Sequence, residues 1–133
     1  MQEDLTAFLL ADTAIAALLG GGDRLYWNLI EQGKPNPAAV IYLISGVPDY
    51  HMAGPSGLVE SRVQIDCRGA TAAEAKQLYD AIRLKLSGFR GVQGSIKFKG
   101  IFQASERTRF DDQPAPGVHV HQADYKIFSG LAA

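Results

Sequence analysis

From Val59 to Arg68 the chain alternates without a break. Val59, Ser61, Val63, Ile65 and Cys67 fall on one side, and Glu60, Arg62, Gln64, Asp66 and Arg68 on the other. A period of two sustained over ten residues fits an extended strand, because successive side chains there point to opposite faces. The pattern predicts a strand with one apolar and one wet face, and therefore a sheet covered on one side. Directly after it, Thr71-Ala72-Ala73-Glu74 reads as a capping box, in which a hydroxyl and a carboxylate satisfy free donors of a first helical turn. Ala75, Leu78, Tyr79, Ile82 and Leu86 supply the buried stripe behind it, and Gly88 can stop the helix. The spacing predicts a helix from about Ala72 to about Ser87.

The other elements follow the same signals. Leu5, Phe8, Leu9, Ile15, Leu18 and Leu19 recur at helical spacing and Gly20-Gly21-Gly22 ends the run. Asp12 can act as a second N-cap, so one kinked helix and two short ones both fit. A short Leu25-Tyr26-Trp27 segment precedes the apolar run Ala39 to Ile44, which reads as a buried strand. Pro48, Gly54, Pro55 and Gly57 break up Gly46 to Gly57, giving a long loop or the splayed tip of a hairpin. Two more strands are expected at Ile96 to Ser105 and Val118 to Phe128. In the last, Val118 and Val120 share one parity and Ala123, Tyr125 and Ile127 the other, so a bulge is expected near Gln122. The order predicts a single α+β domain over residues 1–133, a mostly antiparallel sheet with two helices packed on one face.

Composition narrows the function. Thirteen Lys and Arg against fourteen Asp and Glu leave a net charge of -1, which disfavours a tight, generic grip on nucleic acid. The opening Met1-Gln2-Glu3-Asp4 is acidic where an export leader would be basic, and the longest apolar run is far short of a bilayer span, so no leader or membrane segment is expected. The single Cys67 lies on the apolar parity of its strand and is expected to be a buried structural thiol rather than a nucleophile. His119 and His121 share one side of a strand, but a metal needs more ligands and His51 is distant in sequence. With Val118 and Val120 inward, alternation turns both histidines to solvent. Asp66 with Glu60, and Asp111 with Asp112, are read as solvated carboxylates rather than an acid/base pair. Lys97, Lys99, Arg107 and Arg109, with Phe98 and Phe102 among them, could touch phosphates, but a solvated strand face is the simpler reading. Tyr26 and Trp27 are read as core or interface anchors. The glycine runs lack the lysine and following helix of a phosphate loop. No enzyme, cofactor or metal site is expected.

The stretch Ser45 to Cys67, with Gly54-Pro55-Ser56-Gly57-Leu58-Val59 and Arg62-Val63-Gln64-Ile65-Asp66-Cys67, resembles the tail-completion or tail-terminator proteins of long-tailed bacteriophages. The likeness continues through Thr71, Glu74-Ala75-Lys76, Leu78, Ile82-Arg83, Leu86 and Gly88 to Gly91, and back to Ala11-Asp12, Ala17-Leu18 and Tyr26-Trp27. The linker with Pro114 and Pro116 and the last strand match only loosely.

That resemblance implies a ring-forming structural subunit of the virion, made in the bacterial host cytoplasm. Its ring, expected to be hexameric, would cap the head-proximal end of the tail tube, stop tail elongation and join tail to head. The implied partners are further copies of itself, the tail tube protein and a head–tail connector or stopper protein, with DNA passing through the lumen unread and no membrane involved. Phage, prophage and gene-transfer particles all carry such proteins. A connector stopper is the alternative role, and a small ligand-binding or enzymatic domain using His119 and His121 is a more distant one. Tyr50, His51 and Met52, interface-favoured or polar residues among backbone breakers, are the expected subunit or tail-tube contacts.

Overall fold

The computed structural model describes residues 2–20, 24–30, 37–51, 54–94, 96–112 and 117–131, with backbone alone at 47–51, 54–57 and 131. The elements in chain order are α1 (Gln2–Leu10), α2 (Thr13–Leu18), β1 (Leu25–Trp27), β2 (Ala38–His51), β3 (Gly54–Gly69), α3 (Ala72–Leu86), β4 (Gly91–Gln93), β5 (Ile96–Asp111) and β6 (Val118–Leu131). Six strands form one sheet in the order β1-β2-β3-β6-β5-β4, antiparallel throughout except for the short parallel pair β1 and β2. The expected α+β sheet is therefore present, with three helices because Asp12 divides the first helical stretch. Its carboxylate accepts from the backbone N–H groups of Ala14 and Ile15, at 2.9 and 3.2 Å, and so starts α2 afresh.

The capping box closes α3 in a slightly wider form. Thr71 Oγ1 accepts from the Glu74 N–H at 3.1 Å, while the Glu74 carboxylate reaches past Thr71 to accept from the Ala70 N–H at 3.1 Å. Ala75, Leu78, Tyr79, Ile82 and Leu86 are all buried, as the stripe requires. Gly88 takes φ +80 and gives its N–H to the Ile101 carbonyl, which ends α3 and pins it to β5. The core lies between the helices and one sheet face. There Leu5, Phe8 and Leu9 of α1, Ile15 of α2 and the α3 stripe meet Ile41, Val63, Ile65, Cys67, Phe98, Ile101, Tyr125 and Ile127. Phe8, Phe89 and Phe98 cluster with ring centroids 4.1–6.2 Å apart. Trp27 Nε1 donates to Thr6 Oγ1 at 2.8 Å, tying β1 to α1. Cys67 is buried, and burial pushes its thiol well above the ordinary range.

One open alternative about strands is decided and one expectation is corrected. Of the two readings of Gly46 to Gly57, the described residues form the hairpin: β2 runs to His51 and β3 starts at Gly54, with Tyr50 opposite Pro55 and His51 opposite Gly54. Its breakers are absorbed by register shifts between Leu43 and Ser45 and between Pro48 and Tyr50. The correction is that β6 does not bulge near Gln122. It pairs continuously with β3, and the two shifts of the β5–β6 ladder insert Lys99 and Ala104 on the β5 side. The physical reason is that β6 is central and buried on both faces from Val118 to Tyr125 except at half-buried His119, so its two apolar sets need no common side.

Candidate functional site

The helix-free face of the sheet carries the side chains that sequence parity called wet, and two of its carboxylates are buried. Asp66 is 2% exposed and Asp124 8%. A buried charge costs several kcal/mol unless it is paired and hydrogen-bonded, and both are. Asp124 accepts from Arg62 Nε and Nη2 at 3.2 and 3.0 Å and from Arg107 Nη2 at 3.5 Å. Asp66 accepts from Gln64 and Gln122 side-chain amides and from Arg109 Nη2 at 3.3 Å. Arg109 also donates through Nε to Asp111, and Arg107 to Gln64. The reading of Asp66 as solvated is thus corrected, and Glu60 is not part of its cluster. Asp111, half-buried, serves as an ion-pair partner. The arginines offered as phosphate contacts are spent on their own sheet. The cross-strand partners of Asp66 lie 43 and 56 residues away in the chain, so no local pattern pointed to them.

The histidines are also corrected. His119 and His121 lie on the parity of Ala123, Tyr125 and Ile127, the face covered by α3. His121 is 8% exposed, stacks on the Tyr79 ring with centroids 4.0 Å apart, and holds Nε2 3.6 Å from Glu106 Oε2. His119 packs on Phe110 at 4.6 Å. Tyr79 Oη accepts from Gln103 Nε2 at 2.7 Å. A hydrogen bond from the Tyr79 hydroxyl holds the Glu106 carboxyl below its ordinary range, with His121 adding to it. A cleft of about 390 Å³ opens between the first turn of α3, at Ala72, Ala75 and Lys76, and the ends of β5 and β6, at Phe110, His119 and His121. Among the described residues no three His, Cys, Asp or Glu side chains converge as a metal would need. His51 sits beside Gly54, at the opposite end of β3 from the His119–Gly69 pair.

The hairpin tip is the remaining site. Tyr50 and His51 occupy the last rungs of β2, while Met52 and the side chains of all three lie outside the described residues. Among the described residues the β3–β6 ladder ends at Leu58 opposite Gly130, so the arm extends four more residues of β3, about 13 Å of extended chain. No described helix is long and apolar enough to cross a membrane.

A family model described as tail completion protein gp17 matches residues 3–128 of this chain. Among solved structures, the fold is similar to a chain of one titled "Virion of native gene transfer agent (GTA) particle", with a TM-score of 0.68 and 19% sequence identity over 98% of this chain and 95% of that one. Among curated proteins no significant match was found.

Proposed function

The chain belongs to the tail completion protein gp17 family, and on that premise we propose that it is a structural virion protein that closes the head-proximal end of a phage-type tail. Copies form a ring, expected to be sixfold, which caps the tail tube, stops its elongation and seats the head connector or stopper. DNA passes through the lumen without being gripped. The observation that carries this reading is the family match across residues 3–128. The likeness to a chain of a gene transfer agent virion fits the same setting.

The physical features support a subunit built for contact rather than catalysis. Cys67 is buried with its thiol held protonated, so it is not presented to a substrate as a reactive group. Large apolar side chains instead stand exposed along both margins of the sheet, at Leu43 and Ile44 of β2 and Phe102 and Phe110 of β5. A ring of identical copies uses heterologous interfaces, in which one margin of a subunit meets a different margin of the next.

Deletion of the gene is expected to leave packaged capsids unjoined and tails of irregular or excessive length. Joined tails of normal length in a clean deletion would overturn the assignment. Rings seen by negative stain on isolated portal complexes but not on tail tubes would move the protein to the connector.

Tyr50 and His51 at the end of β2, and Met52 next in the chain, are assigned to subunit or tail-tube contact. Tyr50→Ala combined with Met52→Ala is expected to leave the melting midpoint unchanged and to abolish ring assembly or capping. A large fall in midpoint, or full assembly at normal stability, would refute that assignment.

A further inference from the structure

The sheet has two long margins that nothing in the described chain covers. On the β2 side, β1 pairs only with Ala39, Val40 and Ile41, and the last bond to that margin is from the Asn28 N–H to the Ile41 carbonyl. Asn28 then takes φ +66, a left-handed conformation that ends the extended run of β1. From Tyr42 outward β2 has no described neighbour on that side. On the other side β4 pairs only with Ile96 to Phe98, and the Gly88 N–H covers Ile101. From Phe102 to Asp111 the outer margin of β5 is likewise open among the described residues.

Open margins are normally blunted by lysines, prolines or outward charges, because their free N–H and C=O groups template pairing with another chain. The β2 margin is not blunted. Tyr42-Leu43-Ile44-Ser45-Gly46-Val47 holds no charge and no proline, and Pro48 follows it. Leu43 is 42% exposed, Ile44 52%, and Leu29, just beyond β1, 70%. The β5 margin has no lysine from Phe102 to Asp111. Its two arginines reach across the sheet to Asp124, Gln64 and Asp66 while remaining nearly half exposed, Glu106 is an exposed charge on the same stretch, and Phe102 and Phe110 are exposed apolar side chains beside them.

Direction decides the partner. With β2–β3, β3–β6 and β6–β5 all antiparallel, β2 and β5 run in opposite senses at the two sides of one sheet. A second copy placed alongside in the same orientation therefore brings its β2 antiparallel to the first copy's β5. A two-fold pairing of β2 with β2 would leave both β5 margins open, whereas head-to-tail pairing uses both margins of each copy and leaves no open end once the rotation between copies closes into a ring. Level with one another, Tyr42 and Val47 face Ser105 and Gly100, and we propose that copies of this chain join through this seam slipped about five residues along the strands so that the two open stretches meet, Tyr42 to Val47 of one running antiparallel to Gln103 to Asp111 of the next. The proposal rests on the ring reading above and names the surfaces that build the ring.

The test uses the full chain with Ile44→Cys, Thr108→Cys and both together, treated with a short bismaleimide. Within one copy Ile44 lies level with Gln103, three strand-to-strand steps or about 14 Å away, and Thr108 lies five residues further along β5, so a linker shorter than about 14 Å reports contacts between copies. The buried Cys67 gives the background in the unaltered chain. A ladder of covalent multimers from the double variant, with neither single variant linking, is the expected result. A covalent dimer from Ile44→Cys alone would overturn the proposal in favour of two-fold pairing. Rings by negative stain without a ladder would overturn the seam and leave the ring reading standing. A chain that remains monomeric alone and with tail tubes would overturn the seam, and tube capping and tail length then judge the ring reading separately. As a second measure, Ile44→Lys is expected to weaken self-association about tenfold or more, the loss of a central apolar contact, with an unchanged melting midpoint. Undiminished association of this variant would overturn the seam.

Discussion

Replacing Asp66 with alanine tests whether the ionic face is a structural element or incidental surface. The carboxylate is 2% exposed and accepts from Gln64, Gln122 and Arg109. Three losses must be weighed. Arg109 keeps its bonds to Asp111 and is nearly half exposed, so water and Asp111 compensate it. Gln64 keeps Arg107 as a partner and is only half-buried. Gln122 is buried and loses the partner recorded for its amide N–H. The cost is therefore that of one stranded buried amide, about 1–3 kcal/mol, rather than the roughly 3–5 kcal/mol of a stranded buried charge. With a urea slope of about 2 kcal/mol per M for a domain of this size, a loss of about 2 kcal/mol moves the unfolding midpoint down by about 1 M. Asp66→Ala, Gln122→Ala and the double variant form a cycle in which the double should cost less than the sum by about 1 kcal/mol. A midpoint unchanged by Asp66→Ala, or strict additivity in the cycle, would refute the reasoning.

Gly69→Ala should cost about 1–3 kcal/mol, because its Cβ would lie 2.6 Å from the Ala75 backbone nitrogen and 3.0 Å from the Thr71 carbonyl, and backbone cannot swing aside; a melting midpoint within a degree of the parent would count against this packing of α3 on β3. Tyr125→Phe should be neutral or stabilising in the same assay, since the buried Tyr125 hydroxyl finds no hydrogen-bond partner among the described residues and its removal relieves an unsatisfied group; a loss above about 1 kcal/mol would point to a partner for that oxygen. Glu106 has its pKa depressed in the fold by the Tyr79 hydroxyl, so its contribution is present above the ordinary glutamate pKa and disappears as the pH falls through the lower folded value. Unfolding curves taken through that acid range should therefore lose part of their pH dependence in Glu106→Gln, and parallel curves for parent and variant would contradict the Tyr79–Glu106 bond.

How much of this was legible in the sequence depended on the range of the cause. The strand Val59–Arg68, the capped helix at Thr71 and the buried Cys67 were readable because alternation, capping and helical stripes act within a few residues. The breakers Pro48, Gly54, Pro55 and Gly57 left a loop and a hairpin tip both open, and the ladder bridges them through register shifts that only pairing with an actual neighbour can stabilise. The same limit misplaced His119 and His121. Parity along β6 offered two apolar sides, and which one α3 covers is settled by a stripe that begins more than forty residues earlier. Asp66 looked solvated because its covering residues, Arg109 and Gln122, arrive from β5 and β6. Local periodicity, set by backbone geometry, determined the elements of this chain. The faces they bury, the charges they hide and the margins left open were decided by which strands became neighbours, because burial is a property of the assembled sheet and not of any one segment.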